Sequence, residues 1–584
     1  MELTVIGFAM IAMGAWIVIA GRLRHALVFL MFAALFNGSS ALNLPALGGS
    51  SVPPVQFALL FVFVRLLLPG SGLLPELSRA FGANRWFAAF VAYGAISAFI
   101  LPRLFAGQIN VAPMRVLKTG DLFATAPLGP TAQNITAATY LIGALLVVVA
   151  VWSLLRRPGM AGALIGALIA MTWFHATTGV AAAVLRGTPA DAFFDFFRNA
   201  SYDQMNDEVG AFVRIRGVLP EASSYAGIAF SLFVANAELW YRSVRSRSTG
   251  AAALVMGLVL VFSTSSTAYF ALFIYAVFFA LRTLALPGVA DFGKARVAGF
   301  ALFVAMFCAA ILFLVVPELI HSLSDVVMQM TLEKSTSDSS LQRMFWAMQG
   351  WEAFRHSWGL GIGAGSFRSS SLVLAIVGSM GVIGIVTLAM YLVGVFQPGR
   401  RSSWVATGNE LDTVGGALGV AAVLSLIPAM VSSPSPVPSV LFAVLAAGSL
   451  ALRPRLIEVR QVLRRPPGRH DDLADEVLDD LRQEGLARPS PSIRLSIATH
   501  GTKPISRPCG RIVSTRLSCR SSSFARGSVS RRWHPIGMRW PCSRKRRWRS
   551  TDGIPRRSMR RPICRSTSPL RSCGVKIDWS VPPR

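Results

Sequence analysis

ITAATYLIGALLVVVAVWSLLRRPGMAGALIGALIAMTWFHATTGVAAAVL, residues 135–185, is the stretch whose reading decides the fold. Its two apolar runs, 135–155 and 161–185, contain no Asp, Glu, Lys or Arg, and a pair of arginines, Arg156 and Arg157, separates them. A helix needs about 20 apolar residues to cross the hydrocarbon core of a bilayer, and each run meets that length. Two such runs joined by a basic turn read as a transmembrane hairpin with its arginines retained on the cytoplasmic side.

Working outward, the pattern repeats. Apolar runs at 3–20, 26–43, 54–68, 86–104, 220–239, 251–263, 267–283, 296–316, 370–396, 414–430 and 437–452 join the first two. The expected fold is therefore all-α, a polytopic transmembrane helical bundle over residues 1–452. The short runs at 251–263 and 267–283 read either as two spans or as one tilted helix or re-entrant pair, so the count is eleven to thirteen. Composition agrees: 53% of the 584 residues are hydrophobic and 15% charged, where soluble domains carry about 25% charged residues.

Basic residues alternate between connections. Arg22 and Arg24, Arg79 and Arg85, Arg156 and Arg157, Arg242, Arg245 and Arg247, Lys294 and Arg296, and Arg400 and Arg401 occupy every second turn, whereas the turns around Gly48, Ser265 and Ser435 have none. With thirteen spans this places the N-terminus outside and the C-terminus inside. The chain opens with Glu2 and lacks a basic leader, so the first helix is expected to stay. Three long loops, 105–134, 186–219 and 317–369, then lie outside. In the largest, Leu341, Met344, Phe345, Met348 and Trp351 recur at helical spacing, which predicts an amphipathic helix on the membrane surface.

The formal charge of +29 is unevenly placed. Residues 490–584 hold 23 Lys/Arg against 2 Asp/Glu, which is +21 of the total, and five of the six cysteines. A basic charge of this size ordinarily points to nucleic acid; here the bundle itself is only modestly charged, and no nucleic-acid partner is expected. Residues 453–489 read as a short cytoplasmic helical segment. The Arg/Ser/Pro-rich tail beyond has no apolar period and reads as disordered, either a frameshifted stretch or a basic segment for anionic lipid or nucleic acid. With Cys308 alone in the bundle, a disulfide framework there is excluded.

Polar residues gather at span boundaries. RIRGVLPEASSYAG (214–227) puts Arg214 and Arg216 ahead of Pro220 and Glu221 at the start of a span. Paired guanidiniums suit a pyrophosphate; they equally suit interfacial snorkelling. SWGLGIGAGSFRSSS (357–371) spaces Gly359, Gly361, Gly363 and Gly365 ahead of Arg368. Such glycines allow close backbone approach either to a phosphate or sugar or to packed helices, and without a preceding strand they form no dinucleotide fingerprint. Arg65, four residues before Pro69, can snorkel to an interface. His321 and His356 lie in the largest outer loop and His175 within a span. No spacing resembles a metal site.

Four features in order resemble the bacterial O-antigen ligase and polymerase superfamily, which includes exopolysaccharide polymerases: RIRGVLPEASSYAG (214–227), LVLVFSTSSTAYFALFIYAVFF (258–279), LQRMFWAMQGWEAF (341–354) and HSWGLGIGAGSFRSSSLVLAIVGSMGVIG (356–384). The resemblance spans roughly residues 1–455. It implies a metal-independent, cofactor-free inverting glycosyltransferase of the bacterial inner membrane, taking sugar from an undecaprenyl-pyrophosphate carrier on the outer face. It also implies lipid-bilayer contact and work beside a chain-length regulator or export complex. Carried over, Arg214, Arg216 and Glu221 match the catalytic arginine motif, and His356 is the candidate base. Arg343, Gly361, Gly363, Gly365 and Arg368 match substrate-binding positions. The chain departs from the pattern at STSSTA (263–268), which lacks the family's basic residue, and after the glycine-rich turn, where no histidine follows. The second departure favours a polymerase over a ligase. A transporter or flippase of a lipid-linked glycan or small solute is the rival reading, and a non-catalytic scaffold a third. Truncation after residue 489 is expected to leave membrane yield and activity unchanged; lost activity would show that the tail is a working part.

Overall fold

In a computed structural model, the structure describes residues 2–44, 50–68, 74–115, 123–199, 208–209, 212–286, 293–294, 296–297, 299 and 338–453. The expected span at 296–316, His321, the segment 453–489 and the tail 490–584 lie almost wholly outside these residues. What is described is mostly helical. The helices are α1 (Val5–Ile19), α2 (Leu23–Ala33), α3 (Pro54–Leu67), α4 (Leu74–Ala83), α5 (Arg85–Leu104), α6 (Ala132–Leu155), α7 (Met160–Val184) and α8 (Asp191–Phe197). They continue with α9 (Ala222–Tyr241), α10 (Ser246–Phe262), α11 (Ser266–Ala285), α12 (Asp338–His356), α13 (Leu372–Phe396), α14 (Glu410–Leu424) and α15 (Val440–Leu452). Strands are minimal: a three-stranded antiparallel sheet of β1 (Glu2–Leu3), β2 (Leu42–Leu44) and β3 (Ser50–Val52), and the pairs β4–β5 (Asn110–Val111, Ala126–Pro127) and β6–β7 (Glu208–Val209, Phe212–Val213).

Among the described residues, six helical segments are long and apolar enough to cross a membrane: α5, α6, α7, α11, α13, and α14 continued through the 3-10 turn to Val431. This is a membrane protein. Its outer surface carries the apolar side chains that lipid requires. On α11, Phe270, Phe273, Val277, Leu281 and Leu284 form an exposed stripe at spacings of three and four, while Thr267, Ala268, Ala271, Tyr275 and Arg282 are buried on the other face. The 20-residue α9 is not among the six because Ser223, Ser231, Asn236 and Glu238 dilute its apolar character, and all four are buried. The expected runs at 251–263 and 267–283 are two separate helices, α10 and α11, bent at Ser263–Ser265 rather than one tilted rod.

One end of the bundle is sealed by charge. Glu238 of α9 accepts from Arg242, from Arg282 Nη1 of α11 at 2.7 Å and from the Tyr275 hydroxyl at 3.1 Å. Arg242 also donates to the Ser403 carbonyl at 3.0 Å, and Arg453 donates to the carbonyl of Val395 and to Ser403 Oγ at 2.9 Å. These guanidiniums satisfy carbonyls that helix C-termini leave without intrahelical partners. Arg65 reaches the same end, donating from Nε to the Gly21 carbonyl just beyond α1 at 3.2 Å, the snorkelling its sequence position allowed.

The opposite end contains a hairpin. α12 does not lie flat on the bundle as an amphipathic surface helix would; it runs parallel to the first half of α13, and residues 360–371 return antiparallel to both. Ser370 donates to the Arg343 carbonyl at 2.5 Å, Gly350 lies against Leu374 and Gly378, and Gly359 lies beside Gly381 and Val382. Gly350 permits this contact, since a β-carbon there would stand 2.3 Å from the Leu374 carbonyl oxygen. At about 1.5 Å of rise per residue, Gly381 is about 14 Å along a helix about 37 Å long. The turn at Trp358–Gly361 is thus re-entrant, and Tyr93, well inside α5, donates to the Leu360 carbonyl at 2.8 Å.

Non-helical backbone at membrane depth must have every polar group satisfied by protein or by a wet cavity. α13 breaks at Gly381, whose φ of 57° and ψ of −149° no ordinary helix contains. The break frees partners for the loop. Ile362 N–H donates to the Gly378 carbonyl at 2.8 Å, Gly363 N–H to Ser379 at 2.9 Å, and Val382 N–H to Gly359 at 2.9 Å.

Glu238 holds two buried guanidiniums together, so Glu238→Gln is expected to lower unfolding stability by about 3–5 kcal/mol. Arg282→Leu, which leaves the Glu238–Arg242 pair, should cost less. Thermal unfolding of the purified variants in one detergent checks the order.

Candidate functional site

A cavity of about 440 Å³ opens at the end opposite the buried charges. Seven separate parts of the chain build it. The loop after α2 brings Asn37 and Gly38, the start of α3 brings Gln56, and α6 brings Tyr140. The start of α9 adds Glu221, Ser223 and Ser224; α12 adds Arg343 and Trp346; the segment before α13 adds Arg368, Ser369 and Ser370; and Ser425 through Ser439 close it with further hydroxyls. Glu221 is the N-cap of α9, where the helix dipole favours a carboxylate, and Ser223 Oγ donates to its Oε2 at 2.7 Å.

The two arginines are held differently. Arg343 is half-buried, fixed by its position on α12, and its carbonyl accepts from Ser370. Arg368 is buried, with its guanidinium carbon 4.1 Å from the centroid of Trp346 and its backbone N–H donating to the Ala112 carbonyl at 2.9 Å. A planar guanidinium stacked on indole is held in orientation. Two guanidiniums, one carboxylate and a lining of hydroxyls can bind a phosphate-bearing polyol. Among the described residues no group of three His, Cys, Asp or Glu is placed to hold a metal ion.

The sequence-derived residues divide. Glu221, Arg343 and Arg368 come together in this cavity, across more than a hundred residues of chain. Arg214 and Arg216, half-buried just past β7, are not among its lining residues. Their segment is clamped from α8: Arg198 donates to the Gly217 carbonyl from Nη2 at 2.6 Å and Nε at 3.2 Å, and pairs with Asp195 at 3.0 Å. Burial, and then the charge of Arg216, depress the Arg198 pKa below its usual value.

His356 is exposed at the foot of α12, in a shallow groove with Met348, Trp351, Glu352 and Arg355, away from the cavity. Gly361, Gly363 and Gly365 face protein. β-carbons there would stand 2.4 Å from Ser379, 2.7 Å from Pro102 and 2.3 Å from Gln133. They wedge the return segment, residues 360–371, among α13, α5 and α6, and so set the height of Arg368. His175, buried in α7, stacks on Tyr225 of α9 with centroids 4.0 Å apart and ties the two helices.

Several residues of the site carry no signal in the sequence. Asn134 of α6 donates to the Ala364 carbonyl at 2.9 Å and to Ser366 Oγ at 3.0 Å, and Gln349 accepts from Ala112 N–H at 3.2 Å. Tyr140 and Gln56 sit inside apolar runs where a single polar residue looks incidental. Compared with known protein families and with curated proteins, the chain matches none.

Gly361 has φ of 88° and backbone on its open side. Gly361→Ala is therefore expected to destabilise by at least about 2 kcal/mol and to lose any activity that needs Arg368, whereas Gly399→Ala, with open space around it, should be neutral. Thermal melting of both variants tests this.

Proposed function

We propose that the protein is an inner-membrane glycosyltransferase of bacterial surface-polysaccharide assembly, polymerising or transferring undecaprenyl-pyrophosphate-linked oligosaccharides on the outer face. The observation that carries this reading is the convergence of Glu221, Arg343 and Arg368 in one hydroxyl-lined cavity, at the end opposite the cluster of Arg242, Arg282, Arg400 and Arg453. Retention of basic residues inside assigns the charged end to the cytoplasm and the cavity to the outer side, with thirteen spans and the N-terminus out.

In this reading Arg343 and Arg368 hold the pyrophosphate. The acceptor sugar's hydroxyl oxygen attacks the anomeric carbon from the face opposite the leaving group, the carbon–oxygen bond to pyrophosphate breaks, and the bonding electron pair leaves with the phosphate. The hydroxyl proton passes to the carboxylate of Glu221, positioned by Ser223. Charge building on the leaving group is met by guanidiniums already in place, which is where preorganised donors accelerate transfer most. The chain-length regulator or export complex is the expected partner.

The break in α13 and the re-entrant turn also favour a second reading, since discontinuous helices near mid-membrane are a feature of transporters. A flippase of a lipid-linked glycan would move labelled carrier across vesicles without lengthening it.

Purified protein given an undecaprenyl-pyrophosphate oligosaccharide is expected to elongate it without nucleotide sugar. Arg343→Ala, Arg368→Ala and Glu221→Gln should each lower the rate by about 100-fold or more, with the variants still folded in the membrane. Full elongation by all three variants, or flipping without elongation, would overturn the transferase reading.

A further inference from the structure

The shallow groove at the foot of α12 is separate from the cavity. It measures about 420 Å³ and is lined by Met348, Trp351, Glu352, Arg355 and His356. Its charged members sit at the deep end of the hairpin: His356 precedes the re-entrant turn by two residues, and the turn is level with Gly381 of α13. Glu352, Arg355 and His356 are all exposed there. On a lipid-facing surface such charges are costly unless a polar partner reaches them.

Side chains of a helix tilt toward its N-terminus. α12 descends into the membrane, so Glu352 and Arg355 lean back toward the nearer surface, where headgroups lie. Below them the surface turns apolar: Trp358 is 90% exposed, and Val382 and Val386 are 52% and 49% exposed on α13. An arginine and a histidine as donors, a carboxylate beside them and an apolar track beneath match, in order, a phosphate, an amine and an acyl chain.

We propose that this groove holds a phospholipid of the leaflet that meets the cavity end, with a headgroup bearing a primary amine. The phosphate takes hydrogen bonds from Arg355 and His356, the ammonium donates to Glu352, and an acyl chain follows Trp358 and Val382. The site is distinct from the cavity of Glu221, Arg343 and Arg368 and does not depend on the transferase reading.

The test is native mass spectrometry of the full chain released from nanodiscs of equal phosphatidylethanolamine, phosphatidylglycerol and phosphatidylcholine. Wild type is expected to retain phosphatidylethanolamine over both others by about tenfold, the discrimination of one charge-assisted hydrogen bond. Glu352→Gln should erase the preference over phosphatidylcholine, whose quaternary amine has no N–H to donate. The double variant Arg355→Gln/His356→Gln should retain no lipid of any class, while Arg355→Lys keeps it, which separates lost binding from lost folding. A preference for phosphatidylglycerol, retention by the double variant equal to wild type, or no retained lipid in wild type would overturn the proposal.

Discussion

The exchange of backbone hydrogen bonds between the glycine-rich loop and the broken helix α13 is the constraint on which the cavity depends. Lipid offers no partner to a bare amide, so a loop that enters the membrane must find its donors and acceptors in protein. α13 supplies them by failing to be a helix for one residue. The carbonyls of Gly378 and Ser379 and the N–H of Val382 turn from their own helix to the loop, and the loop in turn lifts Arg368 to the rim beside Trp346. Without Gly381 in a left-handed conformation neither partner has its bonds.

The two ends of the bundle solve opposite problems. At one, buried arginines are tolerated because each finds a carboxylate or a set of carbonyls, and Glu238 alone serves two of them. At the other, Arg343 and Arg368 line a hydroxyl-rich cavity together with Glu221, which a serine orients. Charge pairing fixes the first end as a clasp. A chemical opening remains at the second.

Helices were legible in the sequence because lipid demands long apolar runs, and the membrane class followed from 135–185 alone. Boundaries were less so. α2 ends at Ala33 rather than 43, where the chain turns through a 3-10 segment and pairs as β2 with β1. The amphipathic pattern of 341–351 correctly marked a helix but misled about its setting, since exposed apolar residues on one face look the same whether the helix rests on lipid headgroups or descends beside another span. What decided the matter was Gly350, whose role as a contact with α13 no periodicity reveals. The same holds for the site: arginines at boundaries announced themselves, but which of them share a cavity depends on the hairpin, and a glycine suits a ligand and a neighbouring helix equally well.

The bonds from Gly359 to Val382 and from Ile362 and Gly363 to Gly378 and Ser379 close a loop of chain at both ends. Its length is therefore counted out residue by residue. One amino acid added or lost between Gly363 and Gly378 would shift the return segment against α13 and unpair several amides at once in a medium that offers them nothing. Descendants of this chain should thus keep the spacing from Gly363 to Gly378 to the residue, whatever else in the sequence drifts.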